Sequence, residues 1–514
     1  MWDSYPRPQL KRKSFISFNG IWNVNGEGTY VPSCMSGEKV RYKKTFMFWR
    51  SNDRVILNIG AADQIAEVEL NGKTLGIHEG GYLPFSFDIT DVVREGENVL
   101  SITVTDELSL DYPYGKQKAE HGGMWYTPVS GIWKSIWMEE VPEEYISDVK
   151  ITPDLKGADI ILSVRNGRTG ETVTDRRRID IEEPDLWTPD NPKLYYETIT
   201  YGKDSVEIYF ALREISIKEV GGINRVCLNG EPVFLNGVLD QGYFKPGLFI
   251  PEDPSEYEKD ILRMKQLGFN LLRKHIKVET EEFYYACDRL GMMVMQDMVN
   301  SGEYKFFRDT VLGTVGIRHD DRTREGYDRR QEFWVKHMEE TIGHLYNHPS
   351  VIAYTLFNEG WGQFDSDKMY ERAKGLDPTR LIDSTSGWFK QAKSDFDSEH
   401  IYFRLKRLKP GKRPLLVSEC GGYTLNLTGQ EKSYGYGACR NSMELTEKIR
   451  KMYEKMIIPG IEKGVCGAVY TQLSDIEDEI NGLYSFDRKT CKVIPEEMKK
   501  TADLVNAVFE RITE

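Results

Sequence analysis

From about residue 222 to its end, the chain alternates strand-length apolar runs with helix-length amphipathic ones. Parallel strands need a crossover between them, and a helix is the usual crossover, so this alternation predicts an α/β unit. Strand-like runs are Pro232–Val238, Phe269–Arg273, Met292–Asp297, Val351–Phe357, Leu381–Asp383, Ile401–Phe403, Pro414–Ser418 and Gly464–Thr471. Helical patterns cover Ser255–Leu267, Thr280–Leu290, Arg329–Tyr346, Ser442–Ile458 and Glu496–Ile512, and the first two are stopped by Gly268 and Gly291. Eight βα units in about 290 residues fit a TIM (β/α)8 barrel. Residues 300–328 match neither pattern and read as a long irregular insertion, of the kind that forms active-site loops.

The first 220 residues have a different texture. Val55–Ile59, Ile65–Leu70, Tyr82–Ile89, Asn98–Val104 and Gly131–Trp137 are short alternating runs, and Asn71-Gly72 supplies the positive-φ pair of a tight hairpin. This is the pattern of a β-sandwich or a jelly roll. Asp159–Val164, Tyr195–Tyr201 and Val206–Phe210 predict a second, small sandwich, short for an immunoglobulin-like domain, with Leu186–Pro192 as loop. The expected organisation is multidomain, β followed by α/β: a jelly roll over 1–142, an immunoglobulin-like sandwich over 143–220 and a TIM barrel over 221–514.

At 514 residues the chain is long enough for several domains, and its net charge of −13 disfavours a phosphate-backbone partner, so no nucleic acid is expected. The seven cysteines are scattered without a CxxC or a Cys/His cluster, which favours free thiols and no metal or other cofactor. The opening residues lack an apolar signal region, and no run approaches the roughly 20 apolar residues of a membrane span. A cytoplasmic location and no membrane partner are the expectation.

Chemistry enters where the barrel strands end. Val351–Phe357 runs straight into Asn358-Glu359-Gly360-Trp361, and Pro414–Ser418 into Glu419-Cys420-Gly421-Gly422. Barrel enzymes carry their reactive groups at this C-terminal mouth. Two carboxylates there, with no metal-ligand cluster, suit glycoside hydrolysis, in which one protonates the leaving oxygen while the other attacks the anomeric carbon or activates water.

These motifs, together with TQLSDIEDEINGLYSFDR at Thr471–Arg488 and the order of the parts, resemble glycoside hydrolase family 2, the family of β-galactosidases, β-glucuronidases and β-mannosidases. The resemblance implies that Glu359 is the acid/base and Glu419 the nucleophile of a retaining enzyme. It also implies that Asn358 binds the sugar 2-hydroxyl and that Tyr402 stands beside the nucleophile. Asp240, His275, Asp297, Trp361, Trp388, His400 and Tyr470 lie at strand ends and are further candidates for the pocket wall, with Trp361 and Tyr470 as ring-stacking platforms. The partner would be a carbohydrate, galactoside-like by default.

The Asn-x-Lys segment that holds a uronate carboxylate in glucuronidases has no clear counterpart; Asn481-Gly482-Leu483 stands in its place. Arg273, Lys274 and Lys277, with Arg404 and Lys406, form either a cationic rim for an acidic sugar or, as the favoured reading, a solvated face. A catalytically silent carbohydrate-binding protein is the alternative from another class. Both β domains are short for the family, which leaves surface for a homo-oligomer contact.

Overall fold

The computed structural model describes residues 2–513 apart from 315, 318, 319, 324, 325, 403, 404, 410, 428, 430 and 431. Phe403 and Arg404, named above, therefore lie outside the described residues.

The N-terminal part is a sandwich. A six-stranded antiparallel sheet runs in the order Glu27–Val31, Gly20–Val24, Lys39–Phe48, Gly96–Thr105, Ile65–Leu70, Lys73–Glu79. It covers a four-stranded sheet ordered Phe15–Ser17, Ile136–Val141, Arg54–Ile59, Phe85–Asp88. Alternation along Lys39–Phe48 sends Val40 and Tyr42 into the shared core with Trp22, Leu57, Val68 and Leu100, and leaves Lys39, Arg41 and Lys43 in water. Asn71 and Gly72 take φ of 55° and 77°, the turn that their sequence predicts.

The expected strand Gly131–Trp137 is split. Gly131–Ile132 pairs with Ala62–Asp63, and a new strand starts at Ile136. Between them Trp133 and Lys134 turn to the barrel: the indole packs on Phe249 at 5.2 Å, and the ammonium donates to the carbonyls of Tyr82 (2.7 Å) and Glu279 (2.8 Å).

A three-stranded sheet, Glu144–Pro153, Gly157–Asn166 and Thr172–Asp180, faces the hairpin Tyr195–Tyr201/Asp204–Phe210 around Ile146, Val149, Ile160, Leu162, Val206 and Ile208. Arg12 ties the two sandwiches together. Its guanidinium reaches Glu139 of the first at 2.8 Å and Asp204 of the second at 2.7 Å.

The barrel strands are β1 (Leu235–Asp240), β2 (Leu271–Lys274), β3 (Met293–Asp297), β4 (Val351–Asn358), β5 (Leu381–Ser386), β6 (Asp397–Ile401), β7 (Leu415–Gly421) and β8 (Val465–Thr471). They form one parallel sheet in the order β5-β4-β3-β2-β1-β8-β7-β6. Among the described residues no ladder closes it between β5 and β6. Side chains bridge that gap instead: Ser386 Oγ meets His400 Nε2 at 3.0 Å, and Ser398 donates to Asp383.

Helices α1 (Ser255–Gln266), α2 (Glu281–Leu290), α3 (Arg329–Leu345), α4 (Ser366–Leu376), α5 (Ser442–Met452) and α6 (Pro495–Thr513) cover the sheet. Among the described residues no helix separates β5 from β6 or β6 from β7, so the eight βα units expected above are not all present. β6 also lies earlier than the expected Ile401–Phe403, which leaves Tyr402 just past its end.

The lower end of the barrel is plugged by the hairpin Ile215–Val220/Ile223–Leu228 and by Trp187, whose side chains join Leu235, Leu271, Met293 and Ile352 in one cluster. The 300–328 insertion folds into a π-helical turn at Phe307–Val311 and a short α-helical turn, Leu312–Thr314. No helix of the described residues is long and apolar enough to cross a membrane.

Candidate active site

Glu359 follows the last residue of β4 and has a φ of 55°. A left-handed backbone at a non-glycine residue costs about 1–2 kcal/mol and needs neighbours that hold it. Here its N–H donates to Ser386 O at 3.0 Å and its carbonyl accepts from Trp388 Nε1 at 3.1 Å. Gly360 continues the turn at φ 75°, where a Cβ would meet the Phe389 ring at 2.4 Å.

Glu419 lies within β7. The register of β7 slips against β6 between Ser398 and His400, and against β8 between Val417 and Cys420. Such irregularities re-aim side chains at barrel rims, and here they accompany a buried Glu419 that lines the pocket. The strand ends at Gly421, with φ 83°, where any Cβ would fall 2.4 Å from the Tyr470 ring.

The two glutamates meet across His400. His400 Nδ1 lies 2.7 Å from Glu359 Oε1, and Nε2 lies 3.5 Å from Glu419 Oε1. One donor atom from each of the three side chains lies within 4.8 Å of the others. The two carboxylates thus open onto one site, close enough to act on a single glycosidic bond. These three are also the side chains that could close on a metal ion, although Arg273 already supplies positive charge there.

Arg273, at the third position of β2, is fully buried and organises the floor. It donates to Glu419 Oε1 (3.0 Å), Asp297 Oδ1 (2.9 Å), Asn358 Oδ1 (2.9 Å) and Ser418 O (2.9 Å). Asp297 also takes His275 Nδ1 at 2.6 Å, and the Tyr402 hydroxyl donates to Glu419 Oε2. Burial opposes a charge on Glu419, but His400, Arg273 and His275 outweigh it, with the Tyr402 hydrogen bond, and hold its pKa down to about 2. Burial drives His275 down to about 4, helped by Lys116 and opposed by Asp297.

The structure gathers Asn358, Glu359, Trp361, His275, Tyr402 and Glu419 around one narrow pocket. His400 bridges the glutamates beside it. Trp388 stacks edge-on to His400 at 5.4 Å and lines a broader groove alongside.

Besides His400 and Trp388, three more candidates do not line the pocket. Asp240 is locked in a buried ion pair with Lys274 at 2.6 Å and accepts from Gly242 N. Asp297 is held between Arg273 and His275. Tyr470 is wholly buried behind Gly421, so it is no stacking platform. Trp361 lines the pocket but also sits in an aromatic cluster with Tyr114, Trp125 and Tyr304.

The cationic residues divide: Arg273, Lys274 and Lys277 form neither a rim nor a solvated face, whereas Lys406 is exposed at the broader groove, paired with Glu399, and Arg404 lies outside the described residues. Arg273, Lys274 and Lys277 are all buried; Lys274 and Lys277 share Glu279 at 3.1 and 2.7 Å. The strand pattern could have flagged Arg273, since a charged side chain inside a buried strand must find a partner. No barrel pattern could have flagged Lys116, Met124 and Trp125. They reach the pocket from the first sandwich, opposite Tyr434, Tyr436 and Glu479.

A jelly roll and a small sandwich ahead of a TIM barrel, with paired glutamates at its mouth, define the chain as having the architecture of a multidomain glycosidase. The chain belongs to glycosyl hydrolase family 2. The family's TIM barrel domain matches residues 222–481, just over half of the 514, and its galactose-binding domain-like unit matches 30–148.

Among curated proteins it is similar to a putative beta-glucuronidase of Formosa agariphila, 26% identical over 387 residues, covering 67% of this chain and 34% of the relative. A beta-galactosidase of Staphylococcus xylosus is 24% identical over 370 residues, covering 67% and 35%. The chain thus spans about a third of the length of these relatives. Among solved structures, its fold resembles a beta-galacturonidase from Eisenbergiella tayi (TM-score 0.73, 19% identity, 98% and 99% of the two chains). It also resembles a beta-D-glucuronidase for Dictyoglomus thermophilum (TM-score 0.74, 18% identity, 97% and 98%).

Proposed function

We propose that this chain is a retaining exo-β-glycosidase that removes terminal β-linked sugars by double displacement. The observation that carries the proposal is the close approach of Glu359 and Glu419 within one narrow pocket. Glu419 attacks the anomeric carbon while the leaving oxygen takes a proton from Glu359. The resulting glycosyl ester is then cleaved by water, whose proton passes to Glu359. Asn358 has its carbonyl oxygen occupied by Arg273, so its amide N–H groups are free for the sugar 2-hydroxyl. Lys116, Met124 and Trp125 of the sandwich wall off one side of the pocket, which favours a chain end over a continuous polymer. Seven free thiols support the cytoplasmic location expected above.

The sugar is galactoside-like on the default reading. One observation favours an acidic sugar. Lys116 is the single Lys or Arg lining the pocket among the described residues, whereas the neighbouring cations are buried in pairs. A panel of p-nitrophenyl β-glycosides, galactoside, glucuronide, galacturonide and mannoside, separates the two. If the substrate is a uronide, Lys116→Ala lowers kcat/KM on it by about 10- to 100-fold, the worth of a charge-assisted hydrogen bond, and spares the neutral sugars. Equal effects on both classes reject the acidic reading, and turnover of none rejects the enzyme.

A further inference from the structure

We propose that His400, Ser386 and Ser418 form a polarised hydrogen-bond chain that keeps the catalytic proton on the line between His400 and Glu359. The proposal rests on Glu359 being the acid/base. The chain ends on a group that can only accept: Ser418 Oγ donates to the Glu399 carbonyl at 3.5 Å. With its hydrogen committed, Ser418 Oγ accepts from Ser386 Oγ at 3.0 Å. Ser386 Oγ, its own hydrogen spent, must in turn accept from His400 Nε2 at 3.0 Å. Ser386 donating to Ser418, and Glu419 Oε1 lying 3.5 Å from the same nitrogen, both favour a hydrogen on Nε2.

The other ring nitrogen is then the one turned to Glu359 Oε1 at 2.7 Å. Two lone pairs do not approach that closely, so the line holds one further proton, which the His400–Glu359 pair shares. Gly387 permits the approach: with φ 91°, a Cβ there would lie 2.9 Å from His400 Nδ1. The other titratable groups around the ring are Asp383 on β5, Tyr402 past β6, and Glu419 on β7 with Arg273 behind it.

In the first step the glycosidic C–O bond breaks, its electron pair stays on the leaving oxygen, and that oxygen takes the shared proton as Glu419 bonds to carbon. Glu359 carboxylate and Nδ1 then face each other with no proton between them, which favours uptake of one from water. As the water oxygen bonds to carbon, the ester C–O electron pair returns to Glu419 and the water proton refills the line. His400 and the two serines are positioning residues; Glu359 alone touches the reacting oxygen.

The test compares His400→Asn and Ser386→Ala with wild type on two glycosides of whichever sugar is turned over. One carries a leaving group that needs protonation (methyl or phenyl), the other one that does not (2,4-dinitrophenyl). For His400→Asn, kcat/KM on the first falls by about 100-fold, the low end of general-acid catalysis, and on the second by at least about tenfold less, a loss that reports only what His400 does for Glu419. The basic limb of the pH profile moves. Ser386→Ala shows the same selectivity more weakly. Equal losses on both leaving groups with an unmoved pH profile reduce His400 to a packing role and overturn the proposal. If Glu359→Ala keeps wild-type activity on the poor leaving group, it is the acid/base assignment that fails.

Discussion

Glu419→Gln removes hydrolysis of aryl β-glycosides, by about 1,000-fold or more if it is the nucleophile, as deletion of a covalent catalyst does elsewhere. The amide keeps the size of the side chain and can still accept from Arg273 and pack beside Tyr402, so the fold is retained. What is lost is the oxygen anion that makes the glycosyl ester. Glu359→Ala behaves differently. It loses activity mainly on poor leaving groups, and azide restores turnover of good ones, because azide attacks the ester without a base and leaves a β-glycosyl azide. Initial rates and NMR of the azide product check both. Wild-type rates in Glu419→Gln, or an α-configured azide product, would mean that these glutamates are not a retaining pair.

Arg273→Met destabilises the barrel by about 3–5 kcal/mol, the cost of breaking a buried ion pair by removing one partner. The guanidinium is fully buried, and four acceptors depend on it. Methionine fills the stem but leaves Asp297 and Glu419 without their shared cation. The pH dependence follows in sign. In the native protein Glu419 sits near pKa 2 against an ordinary 4.5, so the stability it contributes is full above about 4.5 and is lost as pH falls towards 2. Without Arg273 its pKa rises, and that loss begins at higher pH. Guanidinium denaturation at pH 7, and the acid midpoint of unfolding in both proteins, measure the two effects. An unchanged midpoint would show that Arg273 is not what holds Glu419 ionised.

Both expectations join something legible in the sequence to something that was not. The barrel strands announce themselves because a strand buried on both faces is a continuous apolar run, and Glu359 and Glu419 stand out as charges where such runs stop. The Asn71-Gly72 hairpin was legible because positive φ selects those residues. β6 was harder to find. Asp397–Ile401 reads DSEHI, and its polar side chains bridge to β5 where the described residues form no ladder, so hydrophobic pattern could not locate it. The split of Gly131–Trp137 escaped for a related reason. Trp133 and Lys134 answer to the barrel, not to the sandwich they belong to in sequence.

By itself the sequence determined the order of the parts, the two carboxylates and the strand ends that carry them. Local periodicity and turn chemistry act over neighbouring residues and can be read there. Only the tertiary structure decided what surrounds those carboxylates: Arg273 under Glu419, His400 between the pair, Lys116 and Trp125 brought in from another domain, and Tyr470 and Asp240 turned away. Those relations span tens to hundreds of residues, and the packing that closes the barrel and seats the sandwich against it sets them.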